Sequence, residues 1–525
     1  MTTLTPTPTI ADQPANRRRV AIFVGAALVW AVWRAGLDNG VVNTRGWPSF
    51  AEFWSAVLRP ELAAEFVRLT ADAALTTLAI ALLGTVGSVL LGAGGALLSS
   101  ELLWEQHPIR AVMRAVLVVP RAVHEVIWAL LLVQVFGFDP LVAVLAIAIP
   151  FGAVTSKVFA EAIDETDPET FRLLRATGAS RISALFYGVL PTVRHDLVSY
   201  SFYRMECAVR SAAVLGIVGV GGLGFQLDLS FETLRYHEIW TLIAALMILS
   251  GLIDRWSSVI RRSSEQRVHR QSLFALVVLV PAATWWSGLS LSGLWSARTP
   301  RLAGRLVDNL VPPRLGLGGW GELIRATIDT VALSLLALAL AVVGGILAAI
   351  IARRRTERAH TTTPVDRLGG WIVRFVLLLA RAVPAPIWAF LAVLILFPGL
   401  WPGAVGLGIY NLGVLGRLFA DVFEDRDTAP SDQLLLTGAS PATAFAYGAM
   451  PAVAPRMVAL GLYRWEVIVR ETVVVGVVGA GGLGQLINEH LVARDLAAVS
   501  GAVLMLIALT LVVDVLGAGL RRQLR

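Results

Sequence analysis

Lysine is nearly missing from this chain. Lys157 is the single one among 525 residues, although lysine and arginine together number 44. A phosphate-binding loop of the G-x-x-x-x-G-K-[ST] type needs its lysine directly after a glycine, and Lys157 follows Ser156. Nucleotide hydrolysis on such a loop is therefore excluded. Cysteine is equally scarce: with Cys207 alone, neither an intramolecular disulfide nor a thiolate metal cluster can form. Charge is thin as well, at 15% of residues against 56% hydrophobic, with a mean hydropathy of +0.71. A soluble domain carries about a quarter charged residues, so almost no room remains for one here. What the chain does have is a series of apolar stretches long enough to cross a hydrocarbon core of about 30 Å. The expected class is an all-α polytopic membrane protein embedded in a lipid bilayer.

The net charge is +7. A basic surplus suits either nucleic acid or the anionic face of a membrane. Arginines gather at 17–19, 255–270, 353–358 and 521–525, each group beside an apolar span. That is the positive-inside pattern, not a nucleic-acid patch. Residues 1–19 are polar and proline-bearing and read as a cytoplasmic tail. The arginines at 17–19 followed by an apolar run would suit a cleaved signal peptide, but no A-x-A-like site follows, which favours a retained first helix.

Twelve spans are expected, near 20–37, 71–98, 111–136, 140–160, 192–217 and 236–256, then 272–295, 326–352, 371–398, 403–421, 452–477 and 494–519. Arginine bias puts both termini inside, together with 99–110, 161–185, 255–271, 353–370 and 424–446. The segment 297–325, expected outside, carries Arg298, Arg301, Arg305 and Arg314 and runs against the bias.

The chain also repeats itself. Residues 203–224 read YRMECAVRSAAVLGIVGVGGLG, and 463–484 read YRWEVIVRETVVVGVVGAGGLG. The shift of 260 extends back through Phe159/Phe419, Gly178/Gly438, Tyr187/Tyr447 and Pro191/Pro451. Two six-span copies inserted the same way up are parallel repeats about an axis normal to the membrane. The expected division is a first half over 20–260, a cytoplasmic linker over 261–271 and a second half over 272–525.

Between spans four and five each copy has a polar insert, DETDPETFRLLRATGASRISALFYGVLP at 164–191 and EDRDTAPSDQLLLTGASPATAFAYGAMP at 424–451. Acids and a proline (Pro168, Pro430) favour a helix start, and the following Gly-Ala-Ser its end. A short cytoplasmic helix is expected in each, over 168–178 and 430–438.

These inserts resemble the cytoplasmic loop of ABC importer permeases, whose Glu-Ala-Ala-x-x-x-Gly motif has a proline thirteen positions after the glycine. Gly178 to Pro191 and Gly438 to Pro451 keep that spacing; the glutamate position holds Arg172 and Asp432. The strings LLRATGASRISALFYGVLP and RSAAVLGIVGVGGLGFQL, the Arg-Ala-Val-x-x-x-Ile-Trp segments at 121–128 and 381–388, and KVFAEAID at 157–164 are similar to the phosphonate/phosphate branch of that family. The likeness covers nearly all of both halves, excluding the tail and residues 296–320, and so implies a dimer of six-span subunits fused in tandem. The resemblance implies a type I importer permease with no catalysis of its own. It implies two copies of an ABC ATPase subunit inside, using ATP and Mg, and an extracytoplasmic binding protein outside, with no cofactor in this chain. It also implies ATPase coupling through Arg172, Ala176, Gly178, Ala179, Asp432, Gly438 and Ala439.

The glycines Gly219, Gly221, Gly222, Gly224, Gly479, Gly481, Gly482 and Gly484 satisfy a dinucleotide fingerprint. That reading requires a strand before and a helix after in a βαβ unit, and here the glycines follow a membrane span. In the resembling family this stretch lies at the outer gate.

Ionisable residues inside spans are costly and usually face a cavity or a partner. Arg121 and Arg381 sit in apolar runs, with His124 and Glu125 following only in the first copy. Tyr203, Glu206 and Arg210 share a helix face, as do Tyr463, Glu466 and Arg470, while Arg204 and Arg464 lie on another. Glu206–Arg210 and Glu466–Arg470, at i and i+4, are spaced to pair as internal salt bridges. The same arginines would suit a phosphorus oxyanion, since a planar guanidinium fork matches its oxygens. All ten ionisable residues of these clusters are candidate pathway residues. The expected substrate is phosphonate, phosphate or phosphite. Two rivals stand beside it: a permease for methionine or a quaternary amine, and an ion-coupled carrier of the major facilitator type.

Overall fold

The structure is a computed structural model that describes residues 13–36, 40–105, 107–262, 266–352 and 364–524. The expected arginine group at 353–358 lies outside them. The chain is helical almost throughout; among the described residues the β contact is one isolated bridge between Val42 and Leu396.

Along the first copy, α1 (Gln13–Ala35) is followed by α2 (Trp47–Ser55) and the long α3 (Ala64–Ser99). The third expected span is built from α4 (Pro108–Val116), α5 (Val118–Ala122) and α6 (Glu125–Phe136), and the fourth is α7 (Pro140–Asp164). The polar insert holds α8 (Pro168–Ala176) and α9 (Arg181–Ala184). Then come α10 (Leu190–Leu215), α11 (Gly222–Glu232) and α12 (Tyr236–Arg262). The second copy follows suit with α13 (Gln266–Ser287), α14 (Ser292–Trp295), α15 (Arg298–Leu310), α16 (Gly319–Ala352), α17 (Pro364–Ala382) and α18 (Ala385–Ile395). It ends with α19 (Leu400–Glu424), α20 (Ala429–Leu436), α21 (Pro441–Ala444), α22 (Met450–Val477), α23 (Gly482–Val492) and α24 (Leu496–Leu524).

Among the described residues, seven helical segments are each long and apolar enough to cross a membrane, and counting three bent pairs as single spans gives ten. The two other expected spans fall on α1 and α13. The apolar part of α1, Ile22–Ala35, is short for a crossing, and α13 spends its first turns on Gln266, Arg267, His269 and Arg270. Within the expected linker at 261–271, α12 runs to Arg262 and α13 starts at Gln266.

Two expected spans bend sharply near their middle. The helix at 111–136 breaks between α5 and α6 with a bend of 91°, and its copy at 371–398 breaks between α17 and α18 with one of 98°. The sequence explains both. In the second copy Pro384 removes an amide donor and disfavours helix at the residue before it. The first copy has His124 there, in an extended conformation, and its Nδ1 accepts the Val126 amide at 3.3 Å to cap the new helix. Proline in one copy and a histidine cap in the other make the same bend.

The chain forms two compact units, one from residues 51–314 and 382–384, the other from 1–50, 315–381 and 385–525. In the first, α3 packs along α7; in the second, α16 packs along α19. Lipid gives no hydrophobic drive for helices to associate, so close backbone approach through small residues matters. A Cβ added at Gly87 would stand 2.9 Å from that of Ala148, and one at Gly345 3.2 Å from the Gly416 amide.

Units in space and copies in sequence divide the chain differently. In the second-copy unit, α1 packs on α16. Ala31 is buried beside Leu333 and Leu336, Arg34 pairs with Asp329 at 2.7 Å, and Trp401 Nε1 donates to the Gly36 carbonyl at 3.0 Å. In the first-copy unit, α13 packs on α3, and Trp256 Nε1 donates to Ser272 Oγ at 3.2 Å.

Candidate functional site

The helix breaks set the site. Non-helical backbone at membrane depth is tolerated only where protein buries it or a cavity adjoins it. Each break falls near the middle of its span, with Arg121 just before one and Arg381 just before the other. Glu125 opens α6 in the first copy, and Ala385 opens α18 in the second. Phe151 and Asn411 lie near the middle of α7 and α19, as Arg204 and Arg464 do in α10 and α22.

In the first-copy unit, Glu125 Oε1 accepts from Ser211 Oγ at 2.6 Å. His124 Nδ1 lies 3.4 Å from Glu125 Oε2. That same nitrogen accepts the Val126 amide, so the histidine acts as a helix cap. Arg204 is 8% exposed. Its guanidinium lies 5.0 Å from the ring centres of Phe151 and Tyr200 and 5.9 Å from that of Tyr203, and it donates to the Tyr200 hydroxyl.

The second-copy unit places different chemistry at the same positions. Arg464 Nη2 donates to Glu471 Oε1 at 2.8 Å. Asn411, fully buried, donates from Nδ2 to Glu471 Oε2 at 2.9 Å and accepts from Arg464 Nε through Oδ1. The three side chains close a ring. At the repeat shift of 260, Glu471 corresponds to Ser211 and Ala385 to Glu125. Each copy thus carries one carboxylate among these residues, on α6 in the first and on α22 in the second.

Glu206 and Glu466 are built into something else. Glu206 Oε1 lies 3.4 Å from Arg210 Nη2, and its Oε2 lies 3.5 Å from Arg261 Nη1. Glu466 Oε1 lies 2.6 Å from Arg521 Nη1, and Arg470 Nε donates to the Glu466 carbonyl at 3.3 Å. Arg261 and Arg521 are again 260 apart. These pairs clamp α10 to α12 and α22 to α24. Sequence reading placed Arg261 and Arg521 among cytoplasmic charge clusters and passed over Ser211, Asn411 and Glu471. The repeat shift was the available signal for the arginines, and the Ser/Glu mismatch inside the repeated string was the signal for the carboxylate.

The glycine stretch bends the chain by 57° between α10 and α11. Gly222 (φ +80°) and Gly482 (φ +74°) are left-handed, and a Cβ at either would run into Thr77 Oγ1 or Thr330 Oγ1. Those hydroxyls accept the Leu223 and Leu483 amides at 2.9 and 2.8 Å. Gly224 and Gly484 meet the backbone of Ala213 and of Thr472–Val473, while Gly219, Gly221, Gly479 and Gly481 carry the turn at positive φ.

At the other end, α8 starts on an Asp167 cap and α20 on Pro430 in its first turn. Gly178 (φ +90°) and Gly438 (φ +87°) end the two helices and are exposed. Arg172 and Ala176 are exposed, Asp432 half-buried, and Ala179 and Ala439 half-buried just after the turns. Phe171 anchors α8 against Leu103, Ile163 and Leu185. Outward of these helices stand Tyr187, 81% exposed, and Tyr447, 75% exposed. Asp164 fixes the adjoining chain by accepting the Glu101 and Leu102 amides and the Ser100 hydroxyl. In the second copy Arg374 joins Glu424, at 2.9 Å, to the Ala352 carbonyl.

Helices broken at mid-span, charged groups at the breaks and an exposed helix in each insert suit a membrane transport subunit. The chain belongs to the family of binding-protein-dependent transport system inner membrane components, whose model matches residues 88–270 and again 341–525. It is thus a multi-pass permease subunit, which sets aside the ion-coupled carrier. It is 28% identical over 461 residues to the phosphate-import permease protein PhnE of Mycolicibacterium smegmatis, spanning 86% of this chain and 85% of that protein. It is 32% identical over 246 residues to the phosphite transport system permease protein PtxC of Stutzerimonas stutzeri, covering 46% of this chain and 88% of that one. A match of 37% over 118 residues, 22% of this chain, spans 97% of the putative cryptic phosphonate transport system permease protein PhnE2 of Escherichia coli.

Proposed function

We propose that this chain is the fused membrane subunit of an ATP-driven importer for a phosphorus oxyanion: phosphate, phosphonate or phosphite. The observation that carries the reading is the pair of mid-span helix breaks, each with an arginine beside it, in a chain whose relatives are named for these anions. Guanidinium forks suit tetrahedral oxyanions. The aromatic rings that a quaternary amine would want are faced in the first copy by the protein's own Arg204. The chain sits in the bacterial cytoplasmic membrane with both termini inside. A binding protein outside delivers the anion to the glycine-turn end. Two ATPase subunits inside, which hold the ATP and Mg this chain does not bind, close on α8 and α20. That movement alternates access to the path; Arg121 and Arg204 in the first-copy unit, and Arg381 and Arg464 in the second-copy unit, are each proposed to meet the anion.

The test is uptake of labelled phosphate and a phosphonate into vesicles holding this chain, its ATPase and its binding protein. Uptake should require ATP and be lost in Gly178→Arg plus Gly438→Arg, which places a bulky cation at both exposed helix ends. Uptake without ATP, or unchanged by that double substitution, overturns the proposal.

A further inference from the structure

Glu125 at the break before α6, and Glu471 in the ring with Arg464 and Asn411, need an explanation, because an oxyanion path gains nothing from fixed negative charge by simple attraction. An ionisable group near mid-membrane is costly and is a functional candidate by default. Glu125 and Glu471 are both there, both nearly covered, with side chains 12% and 14% exposed. In the second copy the two oxygens of Glu471 take a guanidinium N–H from Arg464 and an amide N–H from Asn411. Two donors converging on two oxygens of a planar anion are what a phosphorus oxyanion would also use. In the first copy Glu125 lies at the first turn of α6, where amide donors and the helix dipole favour negative charge, and Ser211 donates to it. At the repeat shift Glu125 maps to Ala385 and Glu471 to Ser211, so the acid stands on α6 in one copy and on α22 in the other.

We infer that Glu125 and Glu471 are resident counter-anions: each occupies an oxyanion position between turnovers and is displaced by the substrate. This rests on the phosphorus-oxyanion reading above and adds what holds the site when it is empty. A bare arginine at mid-membrane would retain a dianion. A tethered carboxylate competes for the same donors, lowers net affinity and returns as the anion leaves. The two glutamates are positioning residues, and their signature is kinetic: loss of the charge should tighten binding and slow release together.

Glu125→Gln and Glu471→Gln keep size and hydrogen bonding and remove only charge. The probe is labelled orthophosphate, first in equilibrium binding to the complex of this chain with its ATPase, then in ATP-driven uptake. Each variant should bind about tenfold tighter, the worth of roughly one charged hydrogen bond, with a lower KM and a lower maximal rate. The double substitution Glu125→Ser with Ser211→Glu, which carries the acid across the contact as the second copy does, should restore affinity and rate. Thermal stability and retained ATPase verify folding throughout. Glutamine variants that bind phosphate no tighter than wild type while wild type imports it overturn the counter-anion alone. Wild type that imports no phosphorus oxyanion overturns both readings.

Discussion

Single residues in this protein separate into those that hold helices together and those that meet the path, and the distinction is readable in their partners. Glu466 is 8% exposed, paired with Arg521 and acted on electrostatically by Arg470 and Asp514; Glu206 has Arg210 and Arg261. A carboxylate shared between two helices with arginines from both is a clamp. Removing one partner of a buried pair strands the other charge and costs on the order of 3–5 kcal/mol, whereas replacing both with apolar groups is often neutral. Arg521→Met should therefore lower the midpoint of thermal unfolding in detergent well below that of wild type. Glu466→Met with Arg521→Met should recover most of it. A double variant as weak as the single would show that Glu466 and Arg521 matter separately, not as a pair. At this scale the sequence showed the i, i+4 halves of the clamps, because that spacing is local. It hid the α12 and α24 arginines, whose partners lie more than fifty residues away.

Elements show how one shape arises from two local chemistries. The bend after α5 stands on the His124 cap, and that after α17 on Pro384. His124 already has φ −67° and ψ 147°, and Val123 before it is extended at φ −98° and ψ 128°. Proline demands nearly that φ and an extended predecessor. His124→Pro should thus be accepted, leaving unfolding temperature and uptake close to wild type. His124→Ala gives up the cap without a proline's constraint and should cost about 1 kcal/mol. Proline being as damaging as alanine would mean the histidine does more than shape the bend. Periodicity over 111–136 reads as one continuous span because the stretches on both sides of the break are apolar; hydropathy registers composition and is blind to a change of direction. The proline and glycine ends of α8 and α20 were legible for the opposite reason, since caps are written in residue type at fixed positions.

For the whole molecule, the repeat makes duplication visible but not how its parts combine. Hydropathy located twelve stretches, and the shift of 260 paired them, yet neither carries information on which first helix covers which core. In the structure α1 lies on α16 through Ala31, Leu333 and the Arg34–Asp329 pair. The segment after it is held by Asn43 N to the Ile395 carbonyl at 2.8 Å and Phe397 N to the Val41 carbonyl at 3.1 Å. In turn α13, from the second copy, lies on α3 of the first. Each compact unit is thus completed by the opening helix of the other sequence half. The connection between α12 and α13 then has little to do in holding the molecule together. Fragments 1–262 and 266–525, expressed together with a tag on one, should copurify and support uptake near that of the intact chain. Expressed singly, each lacks the helix that covers its core and should be poorly recovered from membranes. Deleting 1–46 from the intact chain should reproduce that instability by uncovering α16, with unfolding moved to lower temperature. Fragments that fail to copurify, or a 1–46 deletion that unfolds like wild type, would show that the exchanged helices are dispensable and that the link between the copies is what unites them.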